Sequence, residues 1–222
     1  MDLPLFPLNL VFFPGQVLPL HIFEPRYREM INHCLDTRNP FGIILLPEGA
    51  SMEDSELPPH TIGTAARIVG VERLDDGRMN ITTIGTKRFK VQKLLRRHSY
   101  LSAEVRHYPV INGNTKLAMD LAQKVRPRIL SYVNAIASAS RSTLPLNKLP
   151  EDPTSLAFLV AMALQVENED KQKLLSLPSI PDILAHENYM LWREVSLLEH
   201  MLQTHAVVEE QTAGPTGWVF PN

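Results

Sequence analysis

Residues 3–30 read LPLFPLNLVFFPGQVLPLHIFEPRYREM and contain no formal charge before Glu24. Prolines at positions 4, 7, 14 and 19 divide this apolar run, and each proline inside a helix would remove a hydrogen bond and clash with the preceding turn. A membrane-spanning helix is therefore not expected here. A secretory signal peptide is not expected either, because the only charge ahead of the run is the acidic Asp2. The stretch predicts short, buried strands that are interrupted by proline.

The end of this stretch predicts a helix that begins at Pro25, where a missing N–H costs nothing. Its apolar residues follow the i, i+3, i+4, i+7, i+8 spacing of one buried helix face: Tyr27, Met30, Ile31, Cys34 and Leu35. Cys34 is therefore predicted to be a core thiol. His33 lies off that face, which argues against a Cys-His nucleophilic pair.

Beyond the stretch, the chain divides into two halves of different texture. The first half continues with strand-like runs: FGIILLP (41–47), TIGTAARIVGVERL (61–74), MNITTIG (79–85), RFKVQKLL (88–95) and YLSAEVRHY (100–108). Asp75-Asp76-Gly77 predicts a tight hairpin turn between two of these runs. After Asn112-Gly113-Asn114, apolar spacing predicts helices over residues 116–140, 153–166, 169–177 and 180–205. This order of elements predicts an α+β fold.

The last residues, 206–222, lack apolar periodicity and are predicted to form a mobile tail. Two aromatic residues, Trp218 and Phe220, lie within it. They either dock on the chain's own surface or are tolerated at a frayed end, and the sequence favours neither interpretation.

Composition excludes several classes of function. The 222 residues carry a net charge of -2 and one cysteine. A single cysteine excludes an intramolecular disulfide and any zinc site with two or more thiolates, which favours a reducing, cytoplasmic location. No glycine is followed by lysine, so the phosphate-binding P-loop pattern is missing, and none of the eight histidines forms HExxH. We therefore predict no catalytic residue, no metal and no cofactor.

One local concentration of positive charge stands out between residues 84 and 108. It comprises Lys87, Arg88, Lys90, Lys93, Arg96, Arg97 and Arg106, against the single acid Glu104. Charges fall on both faces of the predicted strand, since Lys87 shares its parity with Phe89, and this mixture predicts an ordinary solvated edge. RNA binding through the basic stretch 87–97 remains the alternative function, although RNA is a less favoured partner than protein.

Several of these runs together resemble a known family, the N-terminal substrate-binding domain of Lon protease, which also occurs as a free-standing bacterial protein. The resemblance rests on residues 3–30, FGIILLP (41–47), IGTAARI (62–68), DDGRMNITTIGTKRFKV (75–91), YLSAEV (100–105) and NEDKQKLLSLPSI (168–180). It implies a PUA-like small β-barrel with one inserted helix, followed by an α-helical bundle. With the division at Asn112-Gly113-Asn114, the chain is expected to form a barrel subdomain over 1–112, a helical bundle subdomain over 113–205 with a long C-terminal helix, and a mobile tail over 206–222 that has no counterpart in the resemblance.

The resemblance also implies a function. The chain is expected to be a non-catalytic module that binds unfolded or partner polypeptide, in the context of a protease system and without a membrane. The ATPase and Ser-Lys peptidase modules of the full protease are not expected within these residues, so no catalytic residue is transferred.

Six residues of the opening stretch are richer in aromatic and polar edges than a core requires: Phe12, Phe13, His21, Phe23, Glu24 and Arg26. They crowd around the Pro14-Gly15 turn and the start of the following helix. An apolar groove with a charged rim is typical of polypeptide-binding sites. These residues are therefore the candidate substrate-binding set, with simple packing of the barrel against the helix as the alternative.

Overall fold

The computed structural model describes residues 2–46, 60–140 and 149–212. Its strands are β1 (Asp2–Leu8), β2 (Val17–Ile22), β3 (Phe41–Leu45), β4 (Ile62–Arg73), β5 (Met79–Leu95) and β6 (Ser102–His107). Its helices are α1 (Pro25–Thr37), α2 (Lys116–Ser140), α3 (Pro153–Ala163), α4 (Asn168–Ser176) and α5 (Ile180–Thr212). The predicted mixed α+β fold is confirmed.

The six strands form one sheet in the order β2-β5-β4-β3-β1-β6, and β6 also pairs with β5. The pairings of β5, β4, β3, β1 and β6 therefore close a ring, to which β2 adds along one half of β5. The predicted hairpin joins β4 to β5, and Gly77 in its turn has a φ of +79°. This positive φ suits glycine, which has no Cβ to clash.

A single 17-residue strand, β5, contains two runs that the sequence suggested were separate. Gly85 lies between them, and a Cβ at this position would meet the carbonyl oxygen of Phe13. The Gly85 N–H donates to the Gln16 carbonyl, and its own carbonyl accepts from the Gly15 N–H, both at 2.9 Å. Gly85 therefore permits a close approach of two backbones without interrupting the strand.

The helices largely follow their predicted bounds, with two differences. α3 ends at Ala163 instead of residue 166, because Leu164 is extended and the Gln165 N–H donates to the Tyr132 hydroxyl at 2.9 Å. α5 continues past residue 205 to Thr212. Residues 213–222, with Trp218 and Phe220, lie outside the described residues.

A shared core joins the strands to the helices. It includes Phe13, Leu45 and Ile62 from the first half and Leu156 and Leu184 from the helices, all buried. Hydrogen bonds from α4 strengthen this junction. The Gln172 side-chain amide donates to the Ile62 carbonyl at 3.0 Å.

The basic stretch contains one correction to the sequence prediction. Arg88, predicted on a solvated edge, is only 3% exposed. Its guanidinium donates to the carbonyls of Leu175 and Leu177 at the end of α4 and lies 4.8 Å from the ring centre of Tyr108. Burial lowers the pKa of Arg88 to about 10, which still leaves it charged at neutral pH. This charge supports the junction between strands and helices and is not available to a ligand.

Candidate functional site

Two of the six candidate residues lie in the core. Phe12 and Phe13 are buried, and they contact different apolar clusters. Phe12 packs with α1 and the strands, whereas Phe13 packs with the helices of the second half. A polypeptide cannot reach either ring while the protein is folded, so their assignment to a binding groove is corrected here.

His21 and Phe23, in contrast, lie together on the surface. Phe23 is 57% exposed, and its ring is stacked with that of His21 at a centroid distance of 6.1 Å. His21 Nδ1 lies 2.7 Å from the side-chain oxygen of Asn80. The Asn80 amide in turn donates to Glu72 at 2.9 Å. These contacts fix the imidazole beside the exposed phenyl ring.

Strand register extends this pair into a surface across β2, β5 and β4, which we call the outer face. Three rows of directly opposed residues cross it: His21, Asn80 and Glu72; Pro19, Thr82 and Gly70; Val17, Ile84 and Arg67. Opposed residues of antiparallel strands project to the same side of a sheet. The outer face therefore presents Val17 and Pro19 in line with the stacked rings.

A groove of about 510 Å³ crosses the outer face at the middle row. Gly70 contributes no side chain there, and a Cβ at this position would meet only Thr82 side-chain atoms, at 3.6 Å or more. His21, Glu72 and Asn80 supply its polar wall. The groove combines apolar strand surface with a few hydrogen-bonding groups, as small recognition clefts do.

The remaining two candidates, Glu24 and Arg26, pair with each other at the start of α1. Arg26 Nη2 lies 2.8 Å from the Glu24 carboxylate, and each side chain is about a quarter exposed. The guanidinium also lies 4.9 Å from the ring centre of Tyr27. The two charges therefore largely satisfy each other within the protein. The pair can border a ligand bound at Phe23, but it offers no unpaired charge to that ligand.

β2 forms one margin of the outer face, and within the described chain it pairs only with β5. A free strand edge can accept another strand through backbone hydrogen bonds. Pro19 in the centre of β2 has no N–H to offer. This favours side-chain contacts across the face over the addition of a continuous strand.

Elsewhere in the described residues, Cys34 is the one cysteine, and it lies in the core. Burial raises the pKa of Cys34 to about 11, so its thiol stays protonated at neutral pH. Within residues 2–46, 60–140 and 149–212, no group of three or more His, Cys, Asp or Glu side chains could hold a metal ion. No helix in that part of the chain is long and apolar enough to cross a membrane.

Sequence reasoning did not identify Val17, Pro19 and Gly70 as surface residues. The alternation of exposed and covered residues along VLPLHI would have marked Val17, Pro19 and His21 as one face. Gly70 carries no such local signal, because its position depends on the pairing of β4 with β5.

Comparison with protein families gives one clear match. The model of the family described as the ATP-dependent protease La (LON) substrate-binding domain matches residues 2–193. Lon protease 2 of Syntrophobacter fumaroxidans is 24% identical over 203 residues, and Lon protease of Escherichia coli K12 is 22% identical over 214 residues. These alignments cover 89% and 90% of this chain, but only 25% and 26% of those proteins. The chain thus spans about a quarter of the length of these relatives.

Solved structures show a similar fold. A Lon N-terminal domain protein from Xanthomonas campestris has a TM-score of 0.62 and 24% identity, with 83% of this chain and 95% of that chain covered. The N-terminal domain of a Lon protease from the Mycobacterium avium complex has a TM-score of 0.67 and 18% identity, with 86% and 98% covered. At these identities the similarity concerns the fold.

Proposed function

The chain belongs to the family of Lon substrate-binding domains, and from that premise we propose that it is a non-catalytic module that binds unfolded or partner polypeptide. The surface that supports this proposal best is the outer face of β2, β5 and β4. Its exposed Phe23, stacked with His21, is the single observation that carries the assignment. A large aromatic side chain left in water beside a groove is typical of an interaction site.

We assign this role to the proposed barrel subdomain, residues 1–112, with the bundle of residues 113–205 as its support. Residues 206–222 remain the proposed tail, although α5 continues into them as far as Thr212. The family supplies the protease context, so the polypeptides bound are proposed to be protease substrates or partners. Cys34 is a free, buried cysteine and the one cysteine of the sequence, so it has no intramolecular disulfide partner. A free thiol of this kind supports a reducing, cytoplasmic location.

The binding energy is proposed to come mainly from apolar contact. Val17, Pro19 and Phe23 offer apolar surface in one line, and the hydrogen-bonded His21 and Asn80 side chains offer polar contacts at its edge. An unfolded client loses conformational entropy when it is ordered on such a surface, so weak binding is expected.

Binding of a labelled, reduced and carboxymethylated lactalbumin, which stays unfolded, tests the proposal by fluorescence anisotropy. Gly70→Val places a side chain in the groove, where its Cβ would meet only side-chain atoms of Thr82, at 3.6 Å or more. The added side chain should exclude the client from the groove and weaken binding at least several-fold. Phe23→Ala should do the same. The matched control is Tyr189→Ala on α5, since Tyr189 is also an aromatic residue and is 58% exposed. Unchanged binding by both outer-face variants, or a loss only with Tyr189→Ala, would move the site away from this face.

Salt separates this proposal from RNA binding. Apolar burial changes little with salt, whereas release of counterions makes binding to nucleic acid fall steeply between about 0.1 and 0.5 M salt. Polypeptide binding should persist over this range. If RNA competes and Lys87→Glu combined with Lys93→Glu abolishes binding, the RNA alternative takes its place; both lysines are exposed.

A further inference from the structure

A second pocket, of about 330 Å³, lies where the C-terminal end of α1 meets β4 and β5. Leu35, Pro40 and Ile68 give it an apolar wall, and Arg38 and Arg67 also line it. Its volume is near the lower end of the range for small-ligand sites, about 300–1,000 Å³. It shares no lining residue with the groove at Gly70, although Arg67 also belongs to the last row of the outer face.

The charge of this pocket is one-sided. Two arginines line it, and no acidic residue does. Both arginines are exposed, and within the described residues neither forms an ion pair. In the groove of the outer face, by comparison, Glu72 contributes a carboxylate. The pocket therefore offers unpaired guanidinium groups beside apolar surface.

Arg38 holds an unusual backbone conformation for its residue type. It caps α1 with a φ of +55°, in the left-handed region where helices commonly place glycine or asparagine. A side chain with a Cβ is disfavoured in this conformation, because the Cβ comes close to the neighbouring carbonyl oxygen. Arginine at this position is thus unfavourable for the helix end, and strain of this kind is found at functional sites.

The end of α1 does not cancel the positive charge. A helix C-terminus carries about half a negative elementary charge, which opposes an anion. Two full guanidinium charges exceed it. The terminal carbonyls of Cys34 and Leu35 already accept the N–H of Arg38, and Cys34 also accepts the N–H of Asn39 at 3.1 Å. The raised pKa of the Cys34 thiol, about 11, keeps a further negative charge out of the wall.

We propose that this pocket binds a carboxylate that is attached to an apolar group. The guanidinium fork matches a carboxylate with two parallel hydrogen bonds. The apolar group would contact Leu35, Pro40 and Ile68, which a bare inorganic anion would leave unused. Two sources share this chemistry: the C-terminal residue of a polypeptide with an apolar side chain, and a small apolar acid. The site goes beyond the proposed function and stands apart from the groove at Gly70.

The test uses N-acetyl-leucine as the probe and follows the backbone amide signals of the full chain by NMR. N-acetyl-leucinamide, which lacks the negative charge, should bind at least tenfold more weakly. Inorganic phosphate should also bind at least tenfold more weakly, because it lacks the apolar group. Equal binding of N-acetyl-leucine and its amide would overturn the proposal.

Two variants locate the site. Arg67→Gln and Arg38→Gly should each weaken N-acetyl-leucine binding at least tenfold. Arg38→Gly also relieves the left-handed backbone, so its thermal midpoint should equal or exceed that of the wild type, and lost binding cannot then be attributed to unfolding. Arg106→Gln is the matched control, because Arg106 is an exposed strand arginine outside the pocket. Wild-type binding by both pocket variants, or equal loss with Arg106→Gln, would refute the assignment.

Further probes identify the source. A peptide that ends in a free leucine carboxylate is compared with its C-terminal amide and with hexanoate. Tight binding only of the free peptide assigns the pocket to polypeptide C-termini, and equal binding of hexanoate assigns it to small acids. Gly70→Val should leave N-acetyl-leucine binding unchanged, which distinguishes a failure of this site from a failure of the outer face.

Discussion

The Arg88 guanidinium in β5 donates a hydrogen bond to the backbone carbonyl of Leu177, with an N–O distance of 2.7 Å. Leu177 directly follows α4, so this bond fastens the helical half to the strand ring. Two other guanidinium nitrogens, Nε and Nη2, are buried and have no partner within the described residues. The charge therefore stabilises the junction while retaining part of its desolvation cost.

Arg88→Met should destabilise the fold by about 1–3 kcal/mol. Two carbonyls at the end of α4 lose a charged donor, and removal of the buried charge offsets only part of that loss. Arg88→Glu should cost more, about 3–5 kcal/mol, since it places a carboxylate opposite those carbonyls. Urea denaturation measures both. Lys87→Glu, at an exposed neighbouring position, should stay within about 0.5 kcal/mol of the wild type. Unchanged stability of Arg88→Glu would contradict the burial of this side chain.

Much of the fold was predictable where the signals are local. The apolar spacing from Tyr27 to Cys34 predicted α1, and α3 begins at Pro153 as its spacing predicted, where the Ser155 N–H donates to the Asp152 carboxylate at 2.8 Å. The pairing of β1 with β6 could not be predicted this way, because it closes the ring by placing Asp2 opposite Glu104, at the other end of the strand half. The burial of Arg88 depends likewise on distant residues, since its guanidinium contacts the carbonyls of Leu175 and Leu177 beside α4.

Phe12→Ala should reduce the free energy of unfolding by about 3–5 kcal/mol, because a buried phenyl ring is replaced by a cavity. Phe23→Ala removes the same group from an exposed site and should change stability by less than about 0.5 kcal/mol. Thermal or urea unfolding of the two variants provides the comparison. Equal costs would mean that the two rings share one environment, contrary to the structure.

Phe12 and Phe23 show why the candidate site was only partly predictable. In the sequence, an aromatic residue beside a turn looks the same whether its side chain faces solvent or a core. Phe12 and Phe13 lie on adjacent positions that project to opposite sides, and here both sides are covered, one by α1 and the other by the helical half. Phe23 follows β2, the strand added outside the closed ring, and among the described residues its ring stays 57% exposed. Only the tertiary arrangement distinguishes these cases.

α5 offers a matched test of its packing. Leu191→Ala should cost about 2–5 kcal/mol, because Leu191 is fully buried among the helices. Leu197→Ala makes the same change at a position that is 53% exposed. Its cost should be below about 1 kcal/mol, since alanine is itself a good helix former. If the two variants unfold at the same denaturant concentration, the orientation of this helix is wrong.

Glu187 on the same helix predicts a pH dependence of stability. The side chain is fully buried, and desolvation raises its pKa well above the ordinary value, while the nearby backbone N–H of Ala161 lowers it only in part. The folded state therefore holds a proton that the unfolded state releases at about pH 4.5. Stability from this group is complete below that pH, and it declines as pH rises toward the folded pKa.

Glu187→Gln keeps a neutral group of similar shape in place of the protonated acid. The variant should match the wild type near pH 4 and become the more stable of the two as pH rises. One proton limits the growth of this difference to about 1.4 kcal/mol per pH unit. Urea denaturation at several pH values between about 4 and 8 measures it, with Glu29→Gln as an exposed control. A difference that stays constant across this range, or one that shrinks as pH rises, would show that Glu187 is not held protonated in the folded core.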